Sequence, residues 1–296
     1  MSKRGKKMTS KYVNDPLFSQ AITAIDTGDL ALLKELIEEH PSLIAERLDS
    51  PTGDYFDSPY LIWFLADNPI RNGKLPDNIV EITAMLAAAV KQYAPETAAQ
   101  QLDYALGLVA TGRIPRESGR QIQMMDVLID AGAKPGSGEG ALAHGNAEAA
   151  QHLIERGGKL TLSTAVGLER IDEVNRMLPI AAPAERITAL TTAAFRRNVT
   201  TLTHLLKAGV DPNGYPEKEG GFHSHATPLH QAVASGSLAC VKLLLEAGAK
   251  TDARDTVYDD TPLGWAMYMQ TETDDEGMRN KYKSIEAYLR AVSPDA

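Results

Sequence analysis

Residues 226–255 read ATPLHQAVASGSLACVKLLLEAGAKTDARD, and this stretch decides the fold. Thr227 is a good helix N-cap, and Pro228 follows it at the first helical position, where a missing N–H is no loss and φ is already helical. Leu229, Ala232 and Val233 then mark one apolar face. Gly236 permits a tight turn, after which Leu238, Val241, Leu244 and Leu245 recur at the helical period until Gly248 ends the second run. The spacing predicts two antiparallel helices. A pair this short cannot bury its apolar face alone, so it is expected to stack on copies of itself.

Copies are present on both sides. Residues 261–266, TPLGWA, open the next unit, which resumes at 282–291 after an acidic insertion. Upstream, 190–213 (LTTAAFRRNVTTLTHLLKAGVDPN) overlays the strong unit with Leu190 on Leu229, Leu202 on Val241 and Gly209 on Gly248. Residues 162–178 repeat the pattern more weakly, and 138–158 give a compressed version. Farther upstream, the 102–133 copy contains an insertion with Arg113, Arg116 and Arg120, and the 58–90 copy is interrupted by 67–77. Small residues recur at one inner position, among them Ala165, Ala193, Ala232 and Ala266, as close helix packing requires.

The 226–255 segment resembles the ankyrin repeat in its TPLH opening at Thr227 to His230, its central Gly236 and its LLLxxGA ending at Leu243 to Ala249. The resemblance implies an all-α fold, an ankyrin-repeat solenoid of about seven helix-pair units with short hairpin fingers. The expected organisation is a basic disordered tail, 1–14, followed by a single domain, 15–296, with units near 15–44, 58–90, 99–133, 136–158, 160–180, 185–213 and 226–255 and a C-terminal cap at 259–293. It further implies that His230 hydrogen-bonds within its repeat, a role Gly264 cannot fill in the next unit, and that inner helices line a concave groove. The function it implies is a non-enzymatic protein-binding scaffold or adaptor.

Composition narrows the alternatives. The 296 residues are 43% hydrophobic and 23% charged but only 6% aromatic, which suits a helical protein with an aliphatic core. A net charge of −9 makes nucleic acid a poor partner, since a phosphate backbone needs concentrated positive charge. No apolar run approaches the ~18 residues of a membrane span, and the opening MSKRGKKMTSK leads into no secretory apolar stretch. The lone Cys240 can form neither an internal disulfide nor a CxxC site, so a monomer in the reducing cytoplasm is expected. Cys240 precedes core Val241 and is expected to be buried and inert. No nucleophile elbow, phosphate loop or HExxH motif occurs, so no catalytic residue and no cofactor is expected.

The recognition surface is expected at the C-terminal end of the groove, on Phe195, Tyr215, Phe222, Gln231, Asp255, Asp259, Asp260, Trp265 and Tyr268. By the resemblance, the position after the TPLH histidine and the one a turn later face the groove; this places Gln231, Trp265 and Tyr268, with Phe195, Tyr104 and Trp63 at related places. Aromatics ringed by carboxylates suit a protein segment bearing basic residues. An alternative is metal- or small-molecule-dependent activity at His223, His225 and Asp259, residue types that could together hold a divalent ion. Metal-free fingers are nonetheless expected, because loop histidines commonly face solvent. Arg71 and Lys74 could join the arginines of 111–120 in a basic patch, and the acidic run Glu272 to Glu276 is expected to be a solvated loop.

Overall fold

The computed structural model describes residues 15–48, 58–216 and 224–292, and among these every regular element is a helix. They form two compact units, divided after Lys159.

The N-terminal unit holds α1 (Pro16–Thr27), α2 (Leu30–Glu39), α3 (Ser42–Ala45), a 3-10 turn at Leu61–Ala66, α4 (Ile79–Tyr93), α5 (Ala98–Thr111), α6 (Arg113–Glu117), α7 (Gln121–Asp130), α8 (Glu139–Ala143) and α9 (Ala147–Glu155). Asp15 starts α1 by accepting the N–H groups of Leu17 and Phe18. The Leu61–Ala66 segment has apolar side chains throughout and is buried on every side. After it, the insertion folds around a buried carboxylate: Asp67 accepts the backbone N–H groups of Arg71, Asn72 and Gly73. Arg71 in turn forks onto Asp26 and lies 5.3 Å from the Phe64 ring centre.

Three of the arginines that could have formed a basic patch are bonded within the unit. Arg71 is spent on Asp26, Arg113 pairs with Glu117, and Arg116 reaches the His144 carbonyl.

The C-terminal unit holds α10 (Leu162–Gly167), α11 (Ile171–Met177), a 3-10 turn at Leu178–Ile180, α12 (Pro183–Phe195), α13 (Val199–Lys207), α14 (Pro228–Ala234), α15 (Leu238–Glu246), α16 (Pro262–Glu272) and α17 (Glu276–Val292). The first helices of successive pairs stack in order, α10 on α12, α12 on α14 and α14 on α16, and α13, α15 and α17 form a second row. Ala165, Ala193, Ala232 and Ala266 are completely buried in this stack. Their single methyl groups let neighbouring helices approach, and a larger side chain would overpack the seam.

One backbone device closes the pairs. The residue two before α11, α13 and α15 has positive φ: Glu169 at +58°, Arg197 at +57° and Gly236 at +70°. Glycine takes that conformation freely, whereas glutamate and arginine there are strained by roughly 1 kcal/mol or more. The next residue then caps α13 or α15, with Asn198 accepting the Thr201 N–H and Ser237 that of Cys240. Stacking therefore imposes the turn even where glycine is missing.

The acidic carboxylates are exposed, as expected of a solvated loop, but helices reach into the run from both ends. Helix α16 continues to Glu272 and α17 begins at Glu276, leaving three residues between them. Asp275 accepts the Met278 N–H, so negative charge sits at a helix N-terminus, where the dipole favours it. Cys240 is buried, and burial pushes its thiol pKa up. Among the described residues, turns rather than strand hairpins connect the pairs, and no helix is long and apolar enough to cross a membrane.

Candidate functional site

The loop from Asp255 to Asp260 is built around one carboxylate. Asp255 Oδ1 accepts the backbone N–H groups of Val257 (2.9 Å) and Tyr258 (2.6 Å), while Oδ2 accepts those of Asp260 (3.2 Å) and the Trp265 indole Nε1 (3.0 Å). Burial alone would raise the Asp255 pKa; the donors from Tyr258, Trp265, Val257 and Asp260 outweigh it and hold the pKa below the usual carboxylate value. Its own N–H donates to the Asp260 carbonyl, and the Thr256 N–H donates to the His225 carbonyl. The loop is thus fixed from both ends.

His230 ties this loop to α14. Its Nδ1 accepts the Thr227 N–H at 3.3 Å and lies 2.8 Å from the Thr227 hydroxyl, while Nε2 faces the Asp260 carbonyl oxygen at 3.1 Å. A carbonyl can only accept, so Nε2 carries the proton and the ring is neutral. Burial depresses its pKa, against the raising effects of the Asp260 carbonyl and of the Asp255 and Asp260 charges.

Gly264, which stands where the preceding repeat has His230, has a steric reason. A Cβ there would collide with Asp260 Oδ1, so glycine leaves room for that carboxylate. Asp260 Oδ1 accepts the Thr261 N–H at 2.8 Å, and Oδ2 has no hydrogen bond among the described residues.

These restraints shape a pocket of about 400 Å³ lined by His225, Ala234, Tyr258, Asp260, Trp265, Tyr268 and Met269. His225 stands edge-on to Tyr258, with ring centres 5.8 Å apart, and tilted to Trp265 at 5.9 Å. Tyr258 is 72% exposed and Tyr268 59%, whereas Trp265 is only 9% exposed. Two exposed tyrosines therefore flank an indole whose edge is pinned by Asp255.

Of the sequence-predicted residues, the structure brings Asp260, Trp265 and Tyr268 together in this pocket. Others are placed differently. Gln231 does not face a groove: α14 lies between α12 and α16, and Gln231 is completely buried, both amide atoms lacking hydrogen-bond partners among the described residues. Asp255 is likewise no rim charge, because the loop wraps it. Trp265 offers part of its ring only. Asp259 is exposed and pairs with Arg254, whose carbonyl accepts the Tyr215 hydroxyl at 2.6 Å. Tyr215 thereby fastens its finger to the next one. Phe195 is half-buried at the end of α12. Phe222 lies outside the described residues.

His223 lies outside them too. Among the described residues no group of three or more His, Cys, Asp or Glu could hold a metal ion. His225 instead contributes a ring to the pocket. Tyr258, Met269 and His225 as a pocket ring were not anticipated; the signal available was Tyr258 in the VYDD turn, an aromatic placed between two short-range cap residues.

A family model described as ankyrin repeats (3 copies) matches residues 139–255 and 190–273. No curated protein matches significantly. Among solved structures, the ankyrin repeat domain of human ASB11 is similar at 16% identity, covering 70% of this chain and 96% of that one, with a TM-score of 0.30.

Proposed function

Because this chain carries ankyrin repeats over residues 139–273, and such repeats are generally protein–protein interaction scaffolds, we propose that it is a non-enzymatic adaptor that receives a basic segment of a partner protein on the Tyr258, Trp265 and Tyr268 face. The observation that supports this reading is the pairing of two exposed tyrosines with an indole and the Asp260 carboxylate in one pocket. An aromatic centre beside negative charge concentrates binding energy and selects positive charge.

The test is selection of peptides from a random displayed library on the full-length protein. Enriched sequences should carry Arg or Lys, and their binding should weaken as salt is raised. The Tyr258→Ala, Tyr268→Ala double variant should lose them while keeping its helical circular dichroism. Enrichment of acidic or apolar sequences, or undiminished binding to the double variant, removes this reading.

A further inference from the structure

The molecule contains its own example of what such rings hold. In the N-terminal unit, Tyr60 and Trp63 meet edge to face with centres 5.3 Å apart, and Tyr104 lies against Trp63 at 4.1 Å. The Arg47 guanidinium carbon sits 4.9 Å from the Tyr60 ring centre and 5.7 Å from that of Trp63. That is cation–π distance. In the C-terminal unit no Lys or Arg among the described residues lies over Tyr258, Trp265 or Tyr268. A carboxylate, Asp260, stands there with one oxygen uncommitted.

We propose that the pocket formed by Tyr258, Trp265, Tyr268 and Asp260 is a receptor for a single arginine side chain of the partner segment. The planar guanidinium would lie against the tyrosine and indole faces, as Arg47 lies on Tyr60 and Trp63, and would donate hydrogen bonds to Asp260 Oδ2. Arginine rather than lysine is specified by shape: a flat, weakly hydrated cation can stack on a ring and present N–H donors in its own plane, whereas a compact ammonium cannot stack. A volume of about 400 Å³ leaves room for the side chain and its aliphatic stem, which Met269 and Ala234 would contact. Gly264 belongs to the same design, since any side chain there would displace the carboxylate.

The inference rests on the reading of this face as the recognition surface, but it can fail separately. The protein has only two tryptophans, so indole-labelled full-length protein gives one reporter in each ring cluster. Titration with N-acetylarginine amide should shift the Trp265 indole resonance saturably and leave Trp63 unmoved. N-acetylnorleucine amide, with a similar stem and no charge, should leave both unmoved. Asp260→Asn and Tyr258→Ala should each weaken the arginine response about tenfold or more, as expected for losing a charge partner or a stacking face; Tyr258 is exposed, asparagine keeps the oxygen that accepts the Thr261 N–H, and circular dichroism checks that the fold persists. Absence of saturation, an equal response to norleucine amide, a tighter response to N-acetyl-lysine amide, or an unchanged titration in Asp260→Asn each overturns the proposal. If library-selected basic peptides still bind in any of those cases, the scaffold reading stands and only the arginine pocket falls.

Discussion

Two aromatic clusters, one in each unit, are built from the same materials and finished differently. Around Trp63, Tyr60 and the indole are satisfied from within, while Tyr104 remains exposed: Arg47 covers the Tyr60 and Trp63 rings, and the indole Nε1 donates to the Gln101 carbonyl at 3.2 Å. Around Trp265 the indole is also satisfied from within, by Asp255, yet the adjoining charge is a carboxylate and the two tyrosines face outward. The difference shows that burial of a tryptophan does not decide whether its neighbourhood is a site. What decides it is whether the fold itself supplies the complementary charge.

The surest way to break that contrast is Asp255→Ala. It leaves the Trp265 indole N–H and three backbone N–H groups without their acceptor at a position that is 2% exposed. Charge-assisted bonds of this sort make a loss of about 3 kcal/mol the expected outcome in denaturant unfolding. Trp265 fluorescence should shift to the red as its anchor goes. A variant as stable as the parent would mean that the loop is held by something other than this carboxylate.

A smaller effect should come from pH. His230 is neutral when folded and its pKa is depressed, so the unfolded chain binds the proton more readily. Its contribution is complete above the ordinary imidazole value of 6.5 and is lost as pH falls toward the lower folded value. The groups that set this are the Asp260 carbonyl with the Asp255 and Asp260 charges, which favour the proton, and burial with His225, which oppose it. The parent should therefore lose stability between pH 7 and 5 more steeply than His230→Asn. Parallel profiles would show that protonation at His230 is not felt.

How much of this was legible beforehand depended on whether a local rule or a packed neighbour fixed each residue. The helix pair at 228–246 follows from Thr227, Pro228, Gly236 and the leucine spacing, all of them local signals. The turn at Glu169 carries no such signal, because its left-handed conformation is imposed by stacking against the sequence's own preference. Gln231 shows the reverse error: a polar residue at a nominal groove position is buried because two neighbouring helices close over it, which no single-repeat register reveals. Arg71 and Arg47 look alike in sequence, and only the fold shows that one is consumed by Asp26 and the other by a pair of rings. Glu169→Gly tests the turn. Removing the strain should stabilise the protein by up to about 1 kcal/mol, read as a raised melting temperature, despite the extra freedom glycine gives the unfolded chain. A lowered melting temperature would mean that Glu169 makes a compensating contact.

The smallest effect, and the most informative about the two clusters, is expected from Arg47→Ala. Arg47 is exposed, and an exposed cation–π contact is worth only about 0.5 to 1 kcal/mol, so the melting temperature should fall slightly. The consequence for binding should be qualitative. With its own guanidinium gone, the Tyr60 and Trp63 faces become available, and the Trp63 indole resonance should now respond weakly to N-acetylarginine amide where the parent's does not. The response should remain weaker than that of Trp265, because the vacated cluster offers the Ser58 carbonyl that Arg47 reached and, among the described residues, no carboxylate is bonded to Arg47 as Asp260 would be to the arginine. A Trp63 signal that stays unmoved would show that stacked rings alone do not recruit a guanidinium at this scale, and would place the recognition of the C-terminal pocket on Asp260. Equal responses from the two indoles would place it on the rings.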